Sequence, residues 1–356
     1  MRIAAATVRP VEVPLARPYA IHGHSFDVVG LVLLELRSED GLRGFGQAAP
    51  AEEVTGETCA AASRELGEAS RGWLLGCDPH DDALLGELSW RCRGPAARAA
   101  IDIALCDLIG RAAGVPCVDV FGRVCGPSRT SITIGHKTLA ETLAEAEEYA
   151  ARGFTAFKVK TGAHVDGDLE RLRALRRRFG PSIALLVDAN QGLDERGLSR
   201  FLAGSDDLAL ELIEQPLPPG KEAFLRTLPA TARRLLCADE SVLDEAGLLR
   251  ALAEGFPYGA INIKLQKCGG PRAARRLARI CAENGIDVMW GCNDESALGI
   301  AAALHAACSS AATRWLDLDG SLDLAADPFT GGFTLHDDTM HTLARPGFGV
   351  EPAEAP

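Results

Sequence analysis

From residue 130 onward, short runs rich in aliphatic residues recur at a nearly constant step, with amphipathic stretches between them. The runs are 130–134, 156–160, 184–188, 210–214, 235–239, 260–264, 287–291 and 315–319, and their starts advance by 25 to 28 residues. The stretches between them, including 139–152, 168–179 and 271–284, carry apolar residues at helical spacing. Eight strands alternating with seven helices predict a parallel (β/α)7β barrel, a modified TIM barrel. An open doubly wound sheet is the competitor. No G-x-G-x-x-G follows a strand, which weakens its dinucleotide-binding version.

The first 125 residues have a different rhythm. A Val- and Leu-rich run at 28–36, the turn Ser38-Glu39-Asp40-Gly41 and a second run to Gly46 predict an antiparallel hairpin. Between Pro95 and Gly114, Ala97, Ile101, Ala104, Leu105, Leu108 and Ile109 fit one helix face. Strands followed by helices predict an α+β capping domain over 1–125. The barrel then occupies 126–324. The Gly- and Pro-rich tail, 325–356, lacks a last barrel helix and is expected to fold back onto the capping domain and complete it.

Composition narrows the classes. At about 150 residues per domain, 356 residues hold one large domain and a smaller one. With 47% hydrophobic and 24% charged residues the chain is not disordered. No apolar run is long enough to span a bilayer, so no membrane partner is expected. The first residues lack the apolar stretch of a secretory leader, and a cytoplasmic location is expected. The eleven cysteines are irregularly spaced with no C-x-x-C, as for reduced thiols. The net charge of −12 argues against nucleic acid as a partner. A surplus of carboxylates can still include a cation site.

The predicted strand ends carry polar residues that a barrel core would not. Side chains alternate along a strand, so Lys158 and Lys160 share the inward face while Phe157 and Val159 face the helices. The third, fourth and fifth strands end in Asp188, Glu214 and Asp239, one βα unit apart. Three converging carboxylates repel unless a hard divalent cation joins them. On the sixth strand, Asn262, Lys264 and Gln266 are expected to point inward. Strands two and six lie four apart in a ring of eight, so Lys160 and Lys264 face each other across the mouth. Two bases flanking a cation suit removal of a proton from one face of a carbon and its return from the other. The cation stabilises an enolate as its charge develops. Repulsion from Lys158 and from the cation is expected to lower the pKa of the lysine bases. An aldolase-type Schiff-base lysine is the rival, and it leaves the three carboxylates unexplained.

The series Lys158-Val159-Lys160, Asp188-Ala189-Asn190, Glu214-Gln215-Pro216, Asp239-Glu240-Ser241 and Lys264 resembles the enolase superfamily, in its muconate-lactonizing subgroup. Residues 42–50 resemble the G-x-G-E-A-P segment of its capping domain, with Gln47 where Glu is common. Pro346-Gly347-Phe348-Gly349 resembles the closing motif. Lys264 stands where the mandelate-racemase subgroup has a His-Asp dyad. The resemblance implies Mg2+ on Asp188, Glu214 and Asp239, with Lys160 and Lys264 as the acid/base pair and Lys160 acting on the L-epimer. It implies that Lys158 stabilises the enolate and that Asn190 supports the ligands.

The eighth strand ends Asp317-Leu318-Asp319, which resembles the dipeptide-epimerase signature that holds a substrate's α-ammonium. This implies a small-molecule substrate, an L,L-dipeptide inverted at its C-terminal α-carbon. Carboxylates there would repel an N-acyl or diacid substrate. The alternatives within the subgroup are an N-acylamino acid racemase, o-succinylbenzoate synthase or a cycloisomerase. Outside enzymes, a barrel binding protein needs neither lysine. In similar epimerases the position of Asp294 lies near the dipeptide's N-terminal side chain and is often apolar; an acid there suggests a cationic residue, with a salt bridge to its own scaffold, or a hydrophobic dipeptide, as the alternatives. The loop holding His22 and His24 falls where the family contacts the epimerised residue. It lacks an arginine, which disfavours an Ala-Glu substrate. Assembly into a homo-oligomer is left open.

Overall fold

The computed structural model describes residues 1–21 and 24–354; the side chains of 18–21, 24–26, 82 and 85 lie outside the described residues. Three antiparallel strands open the chain: β1 (Ile3–Ile21), β2 (His24–Ser38) and β3 (Arg43–Ala48), in the order β1-β2-β3. The apolar run of β2 is the reason for this sheet, since Leu31, Val32, Leu34 and Leu36 are all buried. The helix Pro95–Ala113 crosses its face. Proline in its first turn and Gly114 in the left-handed region, at φ 70°, set its ends. β3 approaches this helix so closely that a Cβ at Gly46 would lie 1.9 Å from the Ala100 carbonyl oxygen. That approach accounts for Gly44-Phe45-Gly46.

The barrel strands are β5 (Ile132–Ile134), β6 (Ala156–Lys160), β7 (Ala184–Asp188), β8 (Leu210–Glu214), β9 (Leu236–Ala238), β10 (Ala260–Ile263), β11 (Asp287–Gly291) and β12 (Thr313–Asp317). They form one eight-stranded sheet in sequence order, parallel at every pairing. A parallel bridge from Thr130 to Leu316 joins the first strand to the last. Alternation sorts the two faces. Phe157, Val159, Val187, Ile213 and Ile263 pack into the strand–helix core. Ala156, Leu186, Leu212, Cys237, Met289 and Trp315 fill the barrel floor as a separate apolar cluster. The polar ends stand above that floor.

β6, β7, β8 and β11 have the expected bounds. β10 ends earlier than expected: Lys264 heads a one-turn helix, Leu265–Cys268, closed by Gly269 at φ 97°. β12 ends at Asp317 rather than at Asp319.

Among the described residues no helix follows β12. The tail forms β13 (Phe329–Gly331), β14 (Phe333–His336), β15 (Thr339–Thr342) and β16 (Val350–Pro352), with β4 (Ser128–Arg129) alongside β15. It returns to the capping helix, where Asp107 accepts from the Phe45 and Phe348 amides at 3.0 and 2.8 Å. Gly347 must be small there, because its Cβ would lie 2.1 Å from Asp107 Oδ1. The eleven cysteines are free thiols. No described helix is long and apolar enough to cross a membrane.

Candidate active site

The ends of β6 to β9 gather the acids. Lys160, Asp188 and Glu214 are direct register partners, so three adjacent strands present them in one row. Each acidic strand then turns sharply. Asn190, Gln191 and Gln215 sit at positive φ, and Gln215 accepts from the Asp239 amide at 2.8 Å. That bond ties the end of β8 to the end of β9. The Asn262 amide donates to Glu214 Oε1 at 2.6 Å.

Asp188, Glu214 and Asp239 are at most 1% exposed. Four ammonium groups, those of Lys158, Lys160, Lys264 and Lys267, contact them. Lys160 donates to Asp188 and to Asn190 Oδ1, at 2.7 and 2.9 Å. Lys264 contacts Asp239 at 2.9 Å. Lys158 lies 3.3 Å from Asp188, 2.7 Å from Glu214 and 2.6 Å from Asp317. The Lys160 and Lys264 side chains are equally exposed at 13%, while that of Lys158 is 4% exposed. Lys160 and Lys264 therefore reach the mouth and Lys158 is part of its floor.

The charges act on one another. Burial would raise the Asp188 carboxyl, but Lys160 and Lys158 hold it well below the usual range. Asp239 is likewise held down by Lys264 and Lys267 against its burial. Glu214 goes the other way: burial, and then the charges of Asp188 and Asp239, push it up to about 8. A carboxyl that takes up a proton beside two carboxylates is short of positive charge, and a hard cation supplies it. The all-carboxylate donors therefore fit a divalent ion. Their oxygens are held by ammonium groups instead, and no acidic cluster among the described residues stands at ligand-shell spacing.

Among the protein's own charges, burial and Lys158 lower the Lys264 pKa, but the nearby Asp239 and Glu214 charges outweigh them, so it is raised; a cation held by those carboxylates acts in the opposite sense.

Asp317 and Asp319 are not equivalent. Asp317 is held on both oxygens, by Lys158 and by Ser131 Oγ at 2.6 Å. Asp319 is partly exposed and accepts from the Thr133 amide at 2.7 Å. Loss of solvent, and then the charge of Asp317, push it up to about 7. Asp294 is half-buried in the loop after β11. The His24 side chain, with His22, lies outside the described residues.

Residues 3–122 match the mandelate racemase / muconate lactonizing enzyme N-terminal domain, and residues 141–355 the enolase C-terminal domain-like family. The chain belongs to the enolase superfamily. Within this superfamily it is 46% identical to an L-Lys-D/L-Arg epimerase of Methylococcus capsulatus, over 98% of this chain and 99% of the relative. It is 44% identical to an L-Lys-D/L-Arg epimerase of Desulforapulum autotrophicum, over 99% of both chains. A crystal structure of the Methylococcus capsulatus dipeptide epimerase with Mg and the dipeptide L-Arg-D-Lys superposes with a TM-score of 0.96, at 46% identity, covering 98% of this chain and 99% of that one. The (β/α)7β barrel with its capping domain is thus the enolase-superfamily fold.

Sequence reasoning missed Lys267 at this superfamily site. It is 3% exposed and donates to the Asp239 carboxylate, to the Asp239 and Asn262 carbonyls at 2.9 Å each, and to the Val242 carbonyl at 3.4 Å. Extending strand alternation past Lys264 hid it. The helical turn beginning at Leu265 brings Lys267 back under Asp239.

Proposed function

We propose that the protein is a Mg2+-dependent dipeptide epimerase that inverts the C-terminal α-carbon of a dipeptide with a cationic N-terminal residue. The observation that carries this is the pair Lys160 and Lys264. They are equally exposed, Lys160 ends β6 while Lys264 directly follows β10 four strands away, and they flank three buried carboxylates. Lys160 takes the α-proton from the L-epimer and Lys264 delivers a proton to the opposite face. The reverse reaction exchanges the roles. One C–H bond breaks and one forms, and no other atom is transferred. Asp188, Glu214 and Asp239 would hold the magnesium ion. When bound, it supplies positive charge beside the substrate carboxylate, where negative charge develops as the proton leaves. Lys158 adds a fixed charge below that carboxylate, and Asn190 orients Lys160. Asp319, backed by Asp317, receives the α-ammonium.

Asp294 would face the N-terminal side chain, and the relatives named for Lys and Arg dipeptides support a cation there. The free thiols support a cytoplasmic location. The test is incubation with Mg2+ and dipeptide libraries in D2O, following α-deuterium by mass spectrometry. The expected result is one deuterium at the C-terminal residue of Lys- and Arg-initiated dipeptides. Exchange confined to N-succinyl amino acids would instead identify an N-acylamino acid racemase.

A further inference from the structure

A second polar cluster lies outside the acid/base site, between the capping sheet and the barrel. Glu295, 2% exposed, follows β11. It receives hydrogen bonds from the Gln47 and Gln266 side-chain amides at 3.1 and 2.7 Å, and from the Asn293 backbone amide at 3.1 Å. All three donors are neutral. Burial pushes Glu295 up to about 7 despite them. Gln47, fully buried on β3, presents its other end to Ser296, whose backbone amide donates to Oε1 at 3.3 Å and whose hydroxyl donates to the same atom. Gln266 Oε1 accepts from the Ala49 amide at 3.0 Å, and the Asn293 side chain donates to the Ala49 carbonyl at 2.8 Å.

Two features separate this cluster from ordinary interface packing. An apolar contact would bury the same surface without desolvating a carboxyl group. The helix Ala297–Ala307 also carries a glycine at 299, in its first turn. A Cβ there would lie 2.1 Å from Gln47 Nε2 and 2.2 Å from Glu295 Oε2. Gly299 leaves the space in which the two side chains meet. The amide at 47 also explains the departure from glutamate: two carboxylates at this distance would repel, whereas Gln47 offers Glu295 a donor and Ser296 an acceptor.

We propose that Gln47 and Glu295 are positioning residues, a matched donor–acceptor pair that docks capping strand β3 onto the loop after β11 and so sets the place of Asn293 and Asp294 at the barrel mouth. The pair fixes register, because only one arrangement satisfies every amide. The kinetic consequence rests on the dipeptide-epimerase function proposed above; the structural one does not.

Four proteins test it: wild type, Gln47→Glu, Glu295→Gln, and the exchange of both. Each is measured for dipeptide KM and kcat and for hydrogen exchange of amides 293–297. Each single variant is expected to raise KM about tenfold with kcat within about twofold, and to speed loop exchange about tenfold. The double exchange restores an amide facing a carboxylate between 47 and 295, but that amide turns its N–H2 group toward Gln266 Nε2, which needs an acceptor there, so both readouts should recover in part, to clearly better than the product of the single effects. A fifth protein, Gly299→Ala, should match the single variants. A double exchange as impaired as the product of the singles overturns the proposal. So do single variants that lose thermal stability while KM and loop exchange stay at wild-type values. If the wild type epimerises no dipeptide, the functional reading fails, and loop exchange across the same four proteins still decides the docking claim.

Discussion

Lys158 reaches Asp317 at 2.6 Å across the seam of the barrel, from β6 past β5 to β12. Ser131, just before β5, takes the other Asp317 oxygen at 2.6 Å. Asp317 is thereby built into the wall, while Asp319, two residues on, stands partly exposed at the mouth. The aspartates of one short motif thus have separable duties. Asp317→Asn deprives a buried ammonium of a charged partner and is expected to cost about 2–3 kcal/mol of stability and to weaken Mg2+ binding. Asp319→Asn should instead raise dipeptide KM by about 10- to 100-fold, the worth of one charged hydrogen bond, with Mg2+ affinity within about twofold. Magnesium titration beside dipeptide kinetics separates them, and equal losses in both variants would contradict the division.

Lys264 and Lys267 both contact Asp239, yet their surroundings predict opposite outcomes. Lys267 is surrounded by four acceptor groups, and Lys264 has one carboxylate and 13% exposure. Lys267→Met should cost on the order of 3 kcal/mol in chemical denaturation, because it orphans buried carbonyls and thins the charge around Asp239. Lys267→Arg should not restore stability, since a planar guanidinium does not fit a site built for a compact ammonium. Lys264→Met should abolish epimerisation, and α-proton exchange of the D-epimer, with a much smaller loss of stability. Reversed rankings would mean that Lys267 is the acid/base residue.

Much of this was legible in the sequence, for a definite reason. A period of two within strands, combined with a step of 25 to 28 residues between them, puts Asp188, Glu214 and Asp239 in equivalent positions. The row Lys160, Asp188, Glu214 follows from local rules alone. What stayed hidden depended on other things. Lys267 lies where a strand passes into a helical turn, and the alternation rule fails there. The Gln47–Glu295 contact joins residues 248 positions apart, on elements no periodicity relates. The raised Lys264 pKa depends on a 2.9 Å contact whose length no spacing sets.

His305 provides a pH prediction away from the reacting centre. It is fully buried, Nδ1 accepts from the Val118 amide at 3.0 Å, and the ring edge meets Phe348 with centroids 5.3 Å apart. Burial, with a contribution from Arg123, lowers its pKa from 6.5 to about 3. The folded protein therefore holds His305 neutral while the unfolded chain protonates it below pH 6.5. Its contribution is fully present above that pH and is lost as the pH falls toward about 3, at up to about 1.4 kcal/mol per pH unit. In denaturant unfolding at pH 7, 6, 5 and 4, His305→Gln should show a shallower decline than wild type by that slope. Parallel declines would mean that His305 is protonated in the folded state.

Asp294 links the loop position to substrate choice. It lies between Asn293, pinned to the Ala49 carbonyl, and Glu295, pinned to Gln47, so its backbone is held on both sides while its side chain remains half-buried. Asp294 also has a contact within the protein, so its charge has two potential employments, scaffold and substrate. Substitution separates them. Asp294→Leu should lower kcat/KM for Lys- and Arg-initiated dipeptides by about 10- to 100-fold, the loss of one charge-assisted contact, and leave Ala- and Leu-initiated dipeptides within about threefold. Asp294→Asn keeps the shape and most hydrogen bonds but removes the charge. It should therefore reproduce the loss for cationic dipeptides without the fall in thermal stability that a scaffold role predicts. A uniform loss across all dipeptides, or an unchanged ranking among them, would assign the Asp294 charge to the scaffold and remove it from substrate selection.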